Sequence, residues 1–132
     1  MTDPPTLTRL AGVKPHGASF LDGAALAIVV CGDPAVCDIW VEDCSIAATV
    51  AHLAAHAEGL GSCWVQIRGR AQSDERTAEQ AVRDLLEIPD TLNVECIVAV
   101  GHPAEDKPGH PRDALPSHKI HRDRYDGDTA RR

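Results

Sequence analysis

The segment Gly-Leu-Gly-Ser-Cys-Trp-Val at residues 59–65 constrains the fold of this chain more than any other part of its sequence. It follows directly on an alanine-rich stretch with helical periodicity, so the chain leaves a helix and enters a strand within a few residues. Gly59 can adopt the left-handed conformation that ends a helix, and Gly61 lets the backbone approach another group closely because it has no Cβ. The two glycines therefore predict a tight junction at which a site can form.

The hydrophobic pattern around this junction predicts an α+β domain. Residues 24–31 form a continuous apolar run, which is typical of a strand buried on both faces, and residues 94–100 predict a second buried strand. Residues 64–67 predict a short strand, and residues 73–87 predict a helix capped by its first residue, a serine. Residues 42–58 predict a longer helix that packs closely on a neighbour. Its apolar stripe consists of Ile46, Val50, Leu53, Ala54 and Ala57, widened by Ala47 and Ala51.

The two ends of the chain are expected to lie outside this core. Residues 1–23 contain several turn-forming prolines and glycines and no sustained period, which predicts an irregular N-terminal arm with one short helical turn around residues 8–10. The content of proline, glycine and charge predicts an extended C-terminal tail over residues 104–132. The α+β core is therefore expected to span residues 24–103.

Composition and charge argue against several classes of protein. The 132-residue chain is long enough for one domain, and an aromatic content of 3% means that Ala, Val, Leu and Ile must build its core. A formal net charge of −7 argues against nucleic acid as a partner, because that affinity depends on cations. No apolar run reaches the ~18 residues that a membrane span needs, so we expect no membrane partner. Five cysteines without a disulfide-like spacing fit a reducing compartment, which predicts a cytoplasmic protein.

Three other kinds of site find little support in the sequence. His52 and His56 share a helix face, but no glutamate base lies between them and a third ligand would have to come from a loop, so we expect no metal site. Ser62 and Cys63 lack the motif of a known catalytic nucleophile, and we expect no catalytic side chain of that kind. The glycines at residues 59–61 end a helix instead of opening one, unlike those of a dinucleotide-binding fold.

Six segments between residues 24 and 125 follow the order of motifs in the flavin-dependent nitroreductase family, which this chain resembles. The resemblance covers most of the chain, and the order of the motifs supports it more than any single motif does. The segments are LAIVVCGD at 26–33, WVED at 40–43, GLGSCW at 59–64, LLEIP at 85–89, IVAVGHP at 97–103 and KIHRDRY at 119–125.

This resemblance implies a fold, a cofactor and a function. Members of the family have α+β folds with a mainly antiparallel sheet and packed helices, and they form intertwined homodimers, so we expect both features here. The resemblance implies bound FMN, NAD(P)H as the electron donor, and a nitroaromatic, a quinone or a similar small molecule as the acceptor. The flavin would perform the hydride chemistry, while the protein would supply position and charge. The helix face expected at the dimer interface comprises Ala47, Ala51, Ala54 and Ala55.

The resemblance also implies which residues contact the flavin ring. Trp64, Val65 and Gln66 would lie along the isoalloxazine, with the backbone N–H of Gln66 near the flavin N5. Gly61 and Ser62 precede them in the glycine turn and belong to the same cofactor site. A flavin needs a flat apolar wall and a few backbone donors along its polar edge, and this segment can provide both.

The FMN phosphate would be bound near the C-terminus. It carries nearly two negative charges and needs a cation, and the resemblance implies Lys119 in that role, with His121 as a second candidate. Nothing before Phe20 matches the Arg-Arg-Ser-x-Arg motif that holds this phosphate in the family, so the chain resembles a member shortened at its N-terminus. A non-catalytic flavin-binding or dimerisation protein is therefore the alternative interpretation.

Overall fold

The structure, a computed structural model, describes residues 1–125. Within these residues three α-helices accompany a three-stranded antiparallel sheet, which confirms the predicted α+β fold. The elements in chain order are α1 (Pro4–Ala11), β1 (Leu26–Gly32), α2 (Trp40–Ala57), β2 (Gly61–Gln66), α3 (Ala78–Leu86) and β3 (Asn93–Gly101), with short 3-10 helices at Ser19–Gly23, Arg112–Ala114 and Ser117–Lys119.

The central strand of the sheet is β3, which pairs with β1 on one side and with β2 on the other. The register between β1 and β3 shifts at one point, because Val30 pairs with Cys96 whereas the next residue, Cys31, pairs with Val94. Glu95 is left without a partner on β1 and forms a β-bulge. β1 and β2 lie at the two edges of this sheet, so each leaves one row of backbone groups unpaired by β3.

Apolar side chains cover both faces of β3. On one face α1, α3 and the first 3-10 helix contribute to a core centred on Leu7, Leu10, Leu21, Val65, Ile67, Val82, Val94 and Ile97. On the other face Ala48 and Ala55 of α2 pack against Cys96, Val98 and Val100. β3 is therefore buried between two layers as predicted, whereas β1, which was also predicted to be buried on both faces, is only partly covered, with Ile28 40% exposed.

The N-terminal segment differs from the irregular arm that the sequence predicted, because residues 4–11 form a helix. The Asp3 side chain caps it by accepting a hydrogen bond from the Thr6 N–H at 3.0 Å. The prolines at residues 4 and 5 occupy the first helical turn, where a missing N–H costs nothing. Leu7 and Leu10 face the core and are at most 2% exposed. The division into arm, core and tail stays a prediction.

The long helix α2 packs through a face other than the predicted apolar stripe. Ile46, Val50 and Leu53 are 63%, 58% and 64% exposed, whereas the buried residues include Ala48 and Ala55. Small side chains allow the helix to lie close to the sheet, so its larger apolar residues point outwards. The helix is therefore apolar on both sides, and its outer face is uncovered in the single chain.

The second half of the chain contains one further difference. Thr77, not Ser73, caps α3, since its side chain accepts a hydrogen bond from the Gln80 N–H while the Gln80 side chain accepts one from the Thr77 N–H. Ser73 lies in the turn before this helix, where its N–H donates to the Arg76 carbonyl. Nearly all of residues 104–125 are exposed, with two short 3-10 helices. No helix found within residues 1–125 has the length and apolar character to cross a membrane.

The packing of α1 predicts a cost for truncating one of its buried side chains. Leu10→Ala should lower the free energy of unfolding by ~2–5 kcal/mol, because the methyl groups it removes are fully buried. Arg9→Ala, at the exposed neighbouring position, should change it by at most ~0.5 kcal/mol. Urea denaturation followed by circular dichroism measures both. Equal stabilities for the two variants would mean that the N-terminal segment does not pack on the core.

Candidate functional site

The outer edge of β2 is available for ligands, and the structure shows this most clearly at Gln66. The Gln66 carbonyl accepts a hydrogen bond from Lys14 Nζ at 3.1 Å, so it points away from β3. A residue of an antiparallel pair directs its N–H and C=O to the same side, so the Gln66 N–H also points outwards. This N–H is the one that the family resemblance assigned to the flavin N5.

The glycine turn connects α2 to β2. Gly59 has the left-handed conformation that the sequence predicted, whereas Gly61 makes no close backbone approach within the chain. Gly59 has a φ of 72°, and the Leu60 N–H donates to the Ala55 carbonyl at 2.9 Å, which ends α2. A Cβ added to Gly61 would lie 3.5 Å from the nearest atom, the carbonyl oxygen of Gly101, which is an ordinary contact. Packing within the chain therefore leaves room for a side chain at position 61. Val65, between Trp64 and Gln66, is fully buried in the core.

Trp64 is held on the face of β2 that looks towards α2. Its ring stacks on His52 with 6.4 Å between the ring centroids and 16° between the planes. Its indole N–H donates to Gln66 Oε1 at 2.9 Å. His52 Nδ1 in turn lies 2.6 Å from the hydroxyl oxygen of Ser62. The predicted cofactor residues Ser62, Trp64 and Gln66 thus share one face of the strand, and Trp64 is half-buried.

A buried carboxylate completes the polar contacts of this strand. Glu95 is 3% exposed and accepts hydrogen bonds from Arg68 Nε at 2.5 Å and from Gln66 Nε2 at 3.4 Å. Gln66 Nε2 also donates to the Arg68 carbonyl at 3.0 Å. A buried charge is costly unless it is paired and hydrogen-bonded, and here both conditions hold. Burial, and then the negative charge of Glu95, raise the pKa of the Cys96 thiol to about 12.

Positive charge gathers at the C-terminal end of β2. Burial lowers the pKa of Lys14 below its ordinary value, and the positive charge of Arg70 lowers it further. Within residues 1–125 neither Lys14 nor Arg70 forms an ion pair with an acidic side chain. The only bond that Lys14 donates there goes to the neutral carbonyl of Gln66. A ligand at this edge would therefore meet a cation that no carboxylate of the described chain neutralises.

The predicted phosphate residues lie in the tail. Lys119 ends the 3-10 helix Ser117–Lys119 and is exposed, and no ion pair or hydrogen bond within residues 1–125 joins its side chain to β2. His121 packs against Tyr125 with 4.6 Å between ring centroids. Ser62, Trp64 and Gln66 are thus brought together, whereas Lys119 is not in contact with them in the single chain.

A cavity of about 370 Å³ lies at the opposite edge of the sheet from β2, between the end of β1 and the start of α2. Its lining includes Trp40 and three thiols. Burial raises the pKa values of Cys31 and Cys44, and a hydrogen bond to the Asp43 carboxylate raises that of Cys37. No cluster of His, Cys, Asp and Glu within residues 1–125 is arranged to hold a metal ion.

Three residues of the site went unnoticed in the sequence, although two carried a signal. Glu95 is an acid inside an otherwise apolar strand, which indicates a buried pair. The 53 residues between Lys14 and Arg68 contain no lysine or arginine, so Lys14 is an isolated cation in the sequence. Arg68 itself looks like an ordinary surface charge, and only the fold brings it against Glu95.

The chemistry of this edge suits a planar ligand with acceptor atoms along one side and negative charge nearby. It offers an outward backbone N–H at Gln66, an indole ring at Trp64 and an ammonium group at Lys14. FMN has this character, so the residues present fit that cofactor. None of them is placed as a nucleophile with a base and an orienting acid.

Comparisons with known proteins agree on one family. The profile of the nitroreductase family matches residues 8–102. A curated protein of Archaeoglobus fulgidus, named "Putative NADH dehydrogenase/NAD(P)H nitroreductase", is 37% identical over 111 residues, which are 80% of this chain and 61% of the relative. A protein of the same name from Methanothermobacter thermautotrophicus is 36% identical over 122 residues, 90% of this chain and 60% of the relative. The chain therefore spans about three fifths of the length of these relatives.

Solved structures give the same result. An FMN-dependent nitroreductase from Clostridium difficile superposes with a TM-score of 0.92 at 37% identity, covering 95% of this chain and 73% of the other. A protein from Bacteroides thetaiotaomicron with the same name as the curated relatives has a TM-score of 0.81 at 31% identity, covering 95% and 70%. The profile, the relatives and the fold together show that this chain belongs to the nitroreductase family.

Proposed function

We propose that the protein binds FMN at the outer edge of β2 and acts as an oxidoreductase. In this proposal NAD(P)H donates electrons to the flavin, and a nitroaromatic, a quinone or a similar small molecule accepts them. The observation that carries the proposal is the outward N–H of Gln66 beside the Lys14 ammonium group. Further support comes from the names of the similar proteins, which mention FMN, NADH and NAD(P)H.

Five residues of β2, together with Lys14 and two residues of the tail, have a proposed part in binding FMN, which supplies the hydride chemistry when it is bound. The Gln66 N–H donates to the polar edge of the ring, and Lys14 provides positive charge beside it. The Trp64 ring forms the wall, and Val65, whose side chain is buried in the core, can take part only through its backbone. Gly61 and Ser62 leave the backbone accessible at the start of the strand. Lys119 and His121 remain the proposed ligands of the phosphate, reaching it through the tail.

We further propose a homodimer formed through the outer face of α2. Ile46, Val50 and Leu53 are all more than half exposed on this face. Exposed apolar side chains that lie together on one helix favour association, because burying them releases water. A second copy offers an equally apolar face, and a stable interface needs about 1,000 Å² of buried area in total.

The unpaired cysteines are consistent with a cytoplasmic location, which stays a proposal.

The alternative is a dimerising or flavin-binding protein without turnover. It is favoured by residues 1–19, which contain no arginine-rich phosphate motif. The two proposals differ in whether a bound flavin is reduced when NAD(P)H is added. Bleaching of the visible flavin bands on addition of NADH or NADPH supports the oxidoreductase.

Flavin titrations test the two proposed cations. Lys119→Met should weaken FMN binding by about 10- to 150-fold, the value of a charge-assisted contact of ~1.5–3 kcal/mol, and should leave riboflavin unaffected because it has no phosphate. Lys14→Met should weaken both ligands by similar factors, because its charge lies at the ring edge. Quenching of flavin fluorescence measures all the affinities. Unchanged affinities in both variants would contradict the assigned cations, and no FMN binding by the unsubstituted protein would leave only the dimerising alternative.

Sedimentation tests the dimer. The unsubstituted protein should sediment as a dimer at tens of micromolar, and Leu53→Glu should shift it to a monomer because a buried, unpaired charge is costly. Thr91→Glu, which adds the same charge at an exposed position before β3, should leave the dimer intact. A monomer before substitution, or a dimer that persists in Leu53→Glu, would show that this face is not the interface.

A further inference from the structure

The bulge in β3 places a charged side chain where the strand would otherwise be apolar. Among the described residues Glu95 is the one charged residue that is buried. Its neighbours along β3, Val94 and Cys96, are fully buried, and the register shift sets Glu95 apart from them. β-Bulges re-aim a side chain and occur often beside functional sites. The polar contacts of this carboxylate, and not apolar packing, therefore explain the direction in which it points.

The carboxylate and the Arg68 carbonyl together determine how the Gln66 amide is oriented. A carboxylate only accepts hydrogen bonds, so the amide must present its NH₂ group to Glu95 and to the Arg68 carbonyl. The amide oxygen is then directed to the opposite side, where it accepts the indole N–H of Trp64. Arg68 Nε occupies the other carboxylate oxygen. The buried carboxylate, the Arg68 carbonyl and the indole N–H thus fix the two ends of the amide together.

We infer that Glu95 is a positioning residue that acts through Gln66 to hold the Trp64 ring and the outer edge of β2 in the geometry that receives the cofactor. The ring lies between its hydrogen bond to Gln66 and its stack on His52, so both its position and its tilt are defined. The part of this inference that concerns FMN rests on the proposed function. The orientation of Trp64 does not, because contacts within the chain define it.

The isosteric variant Glu95→Gln separates this role from simple packing. Arg68 Nε–H needs an acceptor and takes the oxygen of the new amide, so the new NH₂ group faces Gln66. If Gln66 keeps its bonds to the Arg68 carbonyl and to Trp64, its NH₂ group meets the new NH₂ group. If Gln66 turns over, its NH₂ group meets the indole N–H and its oxygen faces the Arg68 carbonyl. Two like groups meet in either orientation, so the bond from the indole N–H to Gln66 is weakened although the shape of the core is unchanged.

Hydrogen exchange of the Trp64 indole N–H, measured by ¹⁵N NMR in the flavin-free protein, reports this change. The two indole signals are assigned with Trp40→Phe. Exchange should be at least tenfold faster in Glu95→Gln. The matched control is Glu79→Gln, whose carboxylate accepts from the Val94 N–H at 2.9 Å and has no bond to Gln66 or Trp64. This control should leave Trp64 exchange unchanged.

A double variant provides the rescue. Combining Glu95→Gln with Gln66→Glu places a carboxylate between the Trp64 indole and the new amide, where it accepts from both. One of its oxygens also faces the Arg68 carbonyl, so exchange should slow again towards the value of the unsubstituted protein without fully reaching it. Gln66→Leu removes the amide without unpairing Glu95 from Arg68, so it should give fast exchange even if Glu95→Gln does not fold. Equal exchange in Glu95→Gln and Glu79→Gln, or fast exchange in the double variant, would overturn the positioning role.

FMN titration of the same variants tests the cofactor part separately. Affinity should fall about tenfold in Glu95→Gln and recover in the double variant. An unchanged affinity in Glu95→Gln, with Trp64 exchange accelerated, would overturn the link to the cofactor. Absence of FMN binding in every form would contradict the proposed function, while the exchange data would still decide whether Glu95 positions Trp64.

Discussion

The antiparallel pairing of β3 with both of its neighbours determines the rest of this structure. β3 is buried from Val94 to Val100, so both faces of the sheet must be covered. α1 and α3 cover one face with leucine and valine side chains, and α2 covers the other through small residues. Because α2 lies close to the sheet through its alanines, its larger apolar residues remain on the surface. The exposed outer face of α2 is thus a consequence of how the core is closed.

The single irregularity in that pairing lies where the polar contacts of the candidate site meet. The bulge at Glu95 interrupts an apolar strand and brings a carboxylate to Gln66 and Arg68. The Gln66 carbonyl also accepts a hydrogen bond from Lys14, which follows α1. Lys14 and Glu95 of β3 therefore both contact one residue of β2. A site at a strand edge gains precision when buried neighbours fix its side chains. In the proposed function, cofactor binding therefore depends on contacts that also stabilise the fold.

The sequence predicted those features that depend on local pattern. A continuous apolar run located β1, a largely apolar run located β3, and the glycine turn located the junction between α2 and β2. The sequence predicted one helical turn around residues 8–10 and not the full helix Pro4–Ala11, because Pro4 and Pro5 are typical of turns as well as of a first helical turn. The wrong face of α2 was chosen because an alanine-rich helix has no single apolar side, and only the sheet decides which side packs. The contacts of Glu95 depend on register across the sheet, which no local pattern encodes.

A ¹H–¹⁵N NMR titration of the protein with FMN tests most directly whether the outer edge of β2 is the cofactor site. If it is, the backbone amide of Gln66 and the indole N–H of Trp64 shift most, while the amide of Val82, buried in α3 on the opposite face, stays in place. Shifts confined to residues around the cavity between β1 and α2, with Gln66 unmoved, would contradict a flavin site at this edge.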